Sequence, residues 1–355
     1  MVASGDKLRL SNKDSFYVAQ GVWGLKTILV NLYFIEDKDG SWVLVDTGMY
    51  GHAHKIIQMA EEIFGENTRP KAIILTHGHF DHVGSLKVLA EEWDVPVYAH
   101  SLELPYLTGQ SSYPPPDPTV GRGAVAYMSF MYPKKPINIK NRIELLPPDG
   151  SVPGLPGWSW IHTPGHTHGH VSFYRDEDKT LLAGDAFITR HGESAVAVMT
   201  QKREVHGPPA YYTSDWVAAH HSVEKLANLS PETAATGHGL PMYGNELQTQ
   251  LDTLVKDFWL KAVPTRGRYV NEPSVADEQG VVSVPDSSFP KILAVAGALT
   301  VAGLAVIALN KRNTSNKSHP KGTQRPFSHN RVATGIPPTI DPDHDDPTEH
   351  SNNYP

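Results

Sequence analysis

The sequence predicts an α/β protein built from two sheets backed by helices. Three observations carry this reading. Residues 31–99 run as two strands, a helix, a strand, a helix and a strand, with apolar runs and amphipathic stretches in turn. Residues 143–236 repeat the alternation, which suggests a two-fold sandwich. The densest group of reactive side chains, Thr76-His77-Gly78-His79-Phe80-Asp81-His82, falls between an apolar strand and a helix, a common place for chemistry in α/β proteins.

The elements follow in order. Residues 7–30 mix polar and apolar types and suit short antiparallel strands. Residues 31–36 and 41–46 form a hairpin around Asp37-Lys38-Asp39-Gly40, a turn-favouring stretch. Residues 54–64 have helical spacing, with Ile56, Ile57, Ala60, Ile63 and Phe64 on one side. Strand 71–76, helix 85–92 and strand 95–99 follow. Residues 105–136 are rich in Pro, Gly and Tyr and read as a long, partly extended insertion over the site. Strands are expected at 143–146, 158–162, 171–174 and 180–183, then an irregular stretch at 187–212. A helix at 215–228, a strand at 232–236 and an amphipathic helix at 245–261 complete a domain spanning 7–264.

Residues 265–290 read as a polar linker, with Pro273, Pro285 and Pro290. Residues 292–309 carry no charge and are flanked by Lys291 and by Lys311-Arg312. As a helix, 18 residues would span about 27 Å, near the hydrocarbon thickness of a bilayer. A transmembrane helix is therefore expected at 291–310, with Ala294, Ala298 and Ala302 as a small-residue row suited to weak self-association. The polar tail 311–355 is expected to be disordered. Residues 1–10 lack the apolar core of a secretory leader, which favours a single-pass membrane protein whose catalytic domain faces the cytoplasm.

Composition narrows the chemistry. The net charge of -7 argues against a nucleic-acid partner. With no cysteine, thiolate metal sites and disulfides are impossible, so any metal must be held by His, Asp or Glu. The 19 histidines make that practical. His77, His79, Asp81 and His82 crowd one turn, and imidazole with carboxylate suits Zn²⁺ and its first-row neighbours. His166, Asp185 and His238 each follow an expected strand of the second half and sit beside glycine.

Asp46 in Val-Asp-Thr-Gly, the Thr-His-x-His-x-Asp-His of 76–82, His166 in Pro-Gly-His-Thr, Asp185 in Gly-Asp and His238 in Gly-His occur in this order. With these motifs, residues 15–260 resemble the metallo-β-lactamase-fold hydrolases. The resemblance implies a four-layer αβ/βα sandwich with the site at one edge of its sheets. It implies that His77, His79 and His166 hold one metal ion, that Asp81, His82 and His238 hold a second, and that Asp185 bridges them. The ions would be two Zn²⁺, with Fe²⁺ or Mn²⁺ as alternatives.

A metal pair of this kind can ionise a bridging water and polarise a carbonyl or phosphoryl oxygen. Asp81 is then the natural proton carrier, and Asp46 would orient ligands through hydrogen bonds. These two are the candidate catalytic residues. Histidine at 79 departs from the flavin-linked di-iron oxidoreductases, which use Glu there. The complete second ligand set departs from the single-iron sulfur dioxygenases, and the absence of Cys departs from the cysteine-containing β-lactamases. No glutathione-binding helical domain is evident. The expected activity is hydrolysis of a small-molecule ester, thioester or lactone. The alternatives are a phosphodiesterase and a non-catalytic metal-binding or regulatory membrane protein on the same fold.

The other histidines are assigned more ordinary places. His168 and His170 should support the ligands or face solvent, and His162 should pack near the site. His191 and His206 are candidates for substrate contact, His220 and His221 are structural, and His52, His54 and His100 are surface residues. Tyr113, Tyr127, Tyr211 and Tyr212 are candidates for lining a pocket.

Overall fold

The computed structural model describes residues 11–121, 123–190 and 203–287. Seven strands form the first sheet in sequential order: β1 (Ser15–Ala19), β2 (Val22–Thr27), β3 (Val30–Glu36), β4 (Trp42–Val45), β5 (Ile73–Ile74), β6 (Val97–Ala99) and β7 (Ile143–Leu145). The first four are antiparallel, and β4 through β7 run parallel. The second sheet contains β8 (Ser151–Val152), β9 (Leu155–His162), β10 (Val171–Arg175), β11 (Thr180–Leu182), β12 (Thr233–Ala235) and β13 (Met242–Tyr243), in reverse order.

Side-chain parity explains the layers. Neighbouring residues of a strand point to opposite faces, so a strand apolar on every residue needs cover on both sides. Leu32, Phe34, Leu44 and Ile73 pack with Ile56, Met59, Leu86 and Leu89 of helices Ala53–Phe64 and Leu86–Trp93. The alternate residues Tyr33, Ile35, Val43, Val45 and Ile74 meet Val171, Phe173, Leu182 and Ala235 between the two sheets. Leu181 and Ala234 face the other way, onto Trp216, Val223, Leu247 and Leu251 of helices Trp216–Ala227 and Gly244–Lys256. Helix, sheet, sheet, helix is the expected four-layer order.

Local signals set the boundaries. Helix Ala53–Phe64 stops at Gly65, whose φ of 100° leaves the helical region and whose N–H bonds the Glu61 carbonyl. Helix Trp216–Ala227 begins where the Asp215 side chain accepts the Ala218 N–H at 2.9 Å, an N-cap. Trp42 anchors the outer layer, stacked on Phe64 at 4.6 Å and edge-on to Trp93 at 5.5 Å. Replacing it with Ala would cost about 3–5 kcal/mol.

Several expectations are corrected. The linker expected at 265–290 contains a hairpin, β14 (Val275–Asp277) and β15 (Gly280–Ser283), instead of open chain. It docks on the insertion: Gln110 Nε2 donates to Gln279 Oε1 at 2.8 Å, and Val281 N–H to Ser111 Oγ at 3.2 Å. The insertion itself is folded into short helical turns at Leu104–Leu107, Pro118–Val120, Ala124–Tyr127 and Met128–Met131: Pro105 and Pro118 sit at the start of their turns, where no N–H is needed, and its other prolines lie outside the turns. The helix expected over 245–261 breaks at Asp257 into Gly244–Lys256 and Phe258–Lys261.

No helix among the described residues is long and apolar enough to cross a membrane. The expected span at 291–310 and the tail 311–355 lie outside the described residues, as does residue 191.

Candidate metal centre

The candidate residues all emerge at one edge of the two sheets. Asp46 follows β4, His77 to His82 follow β5, His166 lies between β9 and β10, Asp185 follows β11 and His238 follows β12. Three overlapping groups result: His77 with His79 and His166, His77 with His82 and Asp185, and Asp81 with His82 and His238. Within each group the donor atoms lie within 4.8 Å of one another. Asp185 Oδ2 sits between the outer two groups, 3.5 Å from His166 Nε2, 3.6 Å from His82 Nε2 and 3.2 Å from His238 Nε2.

Hydrogen bonds fix which imidazole nitrogens face inward. The Asp46 carboxylate, itself buried, accepts from Thr76 N–H (2.8 Å), Thr76 Oγ1 (2.7 Å) and His82 Nδ1 (2.8 Å). With its hydroxyl hydrogen committed to Asp46, Thr76 Oγ1 accepts from His77 Nδ1 at 3.0 Å. His238 Nδ1 donates to the Leu29 carbonyl at 2.8 Å. Each of these three rings therefore turns its Nε2 toward the centre.

That arrangement fits a cation. His77 Nε2 lies 3.0 Å from His79 Nδ1, which lies 3.0 Å from His166 Nε2, so lone pairs converge. His82 Nε2 and Asp185 Oδ1 are buried with no hydrogen-bond partner, which is costly unless something else satisfies them. Burial and the neighbouring imidazoles hold His77 and His79 well below the usual imidazole range, and burial holds His166 at about 4. Neutral, deprotonated imidazoles are the ligand form. Burial opposes charge on His82, yet Asp46 and Asp185 raise it well above its ordinary value. Burial likewise opposes charge on Asp185, yet His238 and His82 hold it well below its own. Without an ion, protons must supply the positive charge this cage demands.

Three supporting residues were not foreseen or only partly so. Glu103 is wholly buried, and its carboxylate accepts from Gly78 N–H (2.9 Å), Gly169 N–H (3.0 Å), Thr167 Oγ1 (2.7 Å) and the Tyr113 hydroxyl. It thereby ties the His77–His82 loop to the His166 loop. Burial raises its pKa against the pull of those donors. His170, expected in support, is buried, and its Nε2 accepts the Asp185 N–H at 2.9 Å. Arg190 is buried beside His238 and donates to the Leu29 carbonyl at 2.7 Å. A charged residue inside the apolar run Leu102-Glu103-Leu104 was the only signal for Glu103.

The remaining histidines disperse. His168 Nε2 donates to the Ser274 carbonyl at 3.0 Å and so holds the chain leading into the β14–β15 hairpin. His100 is half-buried, stacked on His162 at 4.3 Å, which corrects its surface assignment: Trp160 and His162 cover it. His220 is half-buried against Phe258, while His54 and His221 are exposed and His52 is half-buried. His206 pairs with Ile188 and lines neither of the cavities described next.

Two apolar cavities open beside the cluster. One, of about 270 Å³, reaches His79 and is walled by Phe80, Tyr113, Pro114, Ile137 and Tyr212. The other, of about 240 Å³, reaches Asp81 and His238 and is walled by Phe80, Val125, Tyr132, Tyr211 and Tyr212. Tyr113, Tyr211 and Tyr212 thus line the site as expected, whereas Tyr127 is exposed and lines neither cavity.

The family model described as "Metallo-beta-lactamase superfamily" matches residues 26–238, more than half of the chain and the stretch that holds every residue of the cluster. The chain belongs to the metallo-beta-lactamase superfamily. Its similarity to "Probable metallo-hydrolase YflN" of Bacillus subtilis (strain 168) is 49% identity over 241 residues, covering 67% of this chain and 91% of the relative. "Probable metallo-hydrolase YybB" of the same organism is 32% identical over 219 residues, covering 62% and 84%. "Hydroxyacylglutathione hydrolase GloC" of Haemophilus influenzae (strain ATCC 51907 / DSM 11121 / KW20 / Rd) is 28% identical over 160 residues, covering 44% and 66%. The protein is a hydrolase of this superfamily with a His/Asp cluster able to hold divalent metal.

Proposed function

We propose that the protein is a dinuclear metal-dependent hydrolase, with Zn²⁺ as its first-choice ion, acting on an ester, thioester or lactone. One observation carries this: Asp185 Oδ2 lies within 3.2–3.6 Å of imidazole nitrogens from both outer ligand groups. That is the position a shared carboxylate needs. In this reading His77, His79 and His166 hold one ion, Asp81, His82 and His238 hold the other, and Asp185 serves both. When bound, the ions would polarise the substrate oxygen and bring a shared water near neutral pKa, supplying hydroxide at pH 7.

The chain's own residues do the rest. Asp46 holds His82 in one tautomer through a 2.8 Å hydrogen bond. His170 and Glu103 fix the two loops that carry Asp185 and His166. Asp81 is the proton carrier, because among the clustered carboxylates it is the one that lines either of the two cavities described, while Asp185 stays buried. The aromatic walls give an apolar substrate surface to pack against. The thioester option gains support from the likeness to "Hydroxyacylglutathione hydrolase GloC".

We further propose that residues 291–310 anchor the enzyme in a membrane, with its catalytic domain on the cytoplasmic side and weak self-association through the alanine row. The support is the uncharged run 292–309, flanked by Lys291 and by Lys311-Arg312. Labelling of exposed lysines such as Lys134 and Lys135 with a membrane-impermeant reagent, in intact and in permeabilised cells, tests the orientation; labelling only after permeabilisation is expected.

The experiment for the activity is metal analysis of the purified chain, followed by acyl-substrate turnover with and without chelator. Two equivalents of metal and chelator-sensitive turnover are expected. Chelator-insensitive turnover, or cleavage of phosphodiesters alone, would overturn the reading.

A further inference from the structure

The two cavities share Phe80 and Tyr212 as a partition. Tyr212 lies 4.3 Å from the His79 ring, and Phe80 lies 6.4 Å from Tyr212, so the partition stands over the ligand cluster. Each chamber has a polar floor and apolar walls. The first ends on His79. The second ends on Asp81 and His238, with Arg190 beside them. A group held on the cluster therefore has room for one apolar substituent on each side.

We infer that the substrate is an ester or thioester with an apolar arm on both sides of the scissile bond, the acyl arm lying beside His79 and the leaving arm beside Asp81. This rests on the hydrolase reading above and adds the shape and orientation of the substrate. Water adds to the acyl carbon and gives up a proton to the Asp81 carboxylate. The bond from that carbon to oxygen or sulfur breaks, and the departing alkoxide or thiolate takes the proton from Asp81. The products are the carboxylic acid in the first chamber, which releases its proton to solvent as it leaves, and the alcohol or thiol in the second.

Asp81 fixes this orientation, because a proton donor must stand next to the atom that leaves. Asp81 lines only the second of the two chambers. Most of each wall disfavours a polar arm. Arg190 Nη2 donates to the Leu29 carbonyl at 2.7 Å while its Nε is buried without a partner, so the second chamber can satisfy one acceptor at its floor; Lys134 and Lys135 lie exposed on the first chamber's wall. A charged, peptide-like arm would have to give up its water to phenyl, phenol and proline surfaces.

The test uses the full-length, metal-loaded chain and a grid of thioesters. The acyl group grows from acetyl to hexanoyl, and the thiol grows from methyl to butyl and phenyl. The expected kcat/KM rises about fourfold per methylene in either arm until a chamber fills. Ile137→Trp, which fills the first chamber, should abolish the acyl-length dependence and keep the thiol-length dependence. Val125→Trp, in the second, should do the reverse. Circular dichroism and metal content check that each variant folds and loads. A flat or falling response to either arm overturns the two-chamber assignment, and exchanged effects of the two variants overturn the orientation. Absence of chelator-sensitive turnover across the whole grid would instead remove the hydrolase reading, and this inference with it.

Discussion

The buried carboxylate of Glu103 accepts the backbone N–H of Gly169 at 3.0 Å. Its other oxygen accepts from Gly78 at 2.9 Å, so one side chain fastens two ligand loops that are remote in sequence. Glu103→Ala would leave buried donors unpaired and should lower unfolding stability by about 3 kcal/mol in urea titration. Glu103→Gln should fold better yet hold metal about tenfold more weakly in competition with a chelator, since an amide cannot accept from all four donors.

Asp46→Asn tests the other supporting carboxylate. The amide can still accept from Thr76, but it no longer provides a charged partner for His82 Nδ1. Metal affinity should fall about 10- to 100-fold, with little loss of secondary structure. Competition titration against a chromophoric chelator reads the change.

Gly237 lies against the cluster. A Cβ there would come within 2.1 Å of Asp185 Oδ1 and 2.8 Å of the His82 ring. Gly237→Ala should therefore displace Asp185 and lose at least one equivalent of bound metal, measured by elemental analysis after dialysis. An unchanged stoichiometry would contradict the close packing.

Stripping the metal should destabilise the fold. A ligand present at about 1,000 times its Kd contributes about 4 kcal/mol to the native state. Chelator should therefore lower Tm markedly in the wild type, and much less in Asp185→Asn. Thermal melts with and without chelator compare the two.

His100 supplies a pH dependence outside the cluster. Burial, aided by His162, depresses its pKa to about 4, and its Nδ1 accepts the Leu102 N–H at 3.3 Å. The folded state thus disfavours the protonated ring. Its contribution to stability is present above the unfolded-state pKa of about 6.5 and is lost as pH falls toward 4. His100→Asn should flatten the wild-type decline over that window in denaturation at pH 7 and pH 5.

The ligand turns were legible because each requires an unusual composition at the end of an apolar run. Four of the six residues from His77 to His82 are potential ligands, and Asp185 and His238 each follow glycine. Supporting residues were harder to read because their meaning lies in tertiary convergence. Glu103 looks like any acid in a short helix, and the stacking partner of His100 lies on another sheet, at residue 162. The β14–β15 hairpin was hidden by the prolines that flank it, Pro273 and Pro285, and by its exposed surface, although Asp277-Glu278-Gln279-Gly280 offered turn chemistry. Its position depends on partners such as Gln110 and Ser111, which no local pattern announces.

Asn31 has a consequence for biosynthesis. Its amide grips the carbonyls of Thr236 and Gly239, at 2.9 and 2.6 Å, on either side of His238. A chain still on the ribosome, with residue 31 long since made, has nothing for that amide to grip until the last ligand has been synthesised. Ion capture then becomes a checkpoint passed only by finished molecules, and a translation product halted before residue 238 would release its metal to any competing chelator.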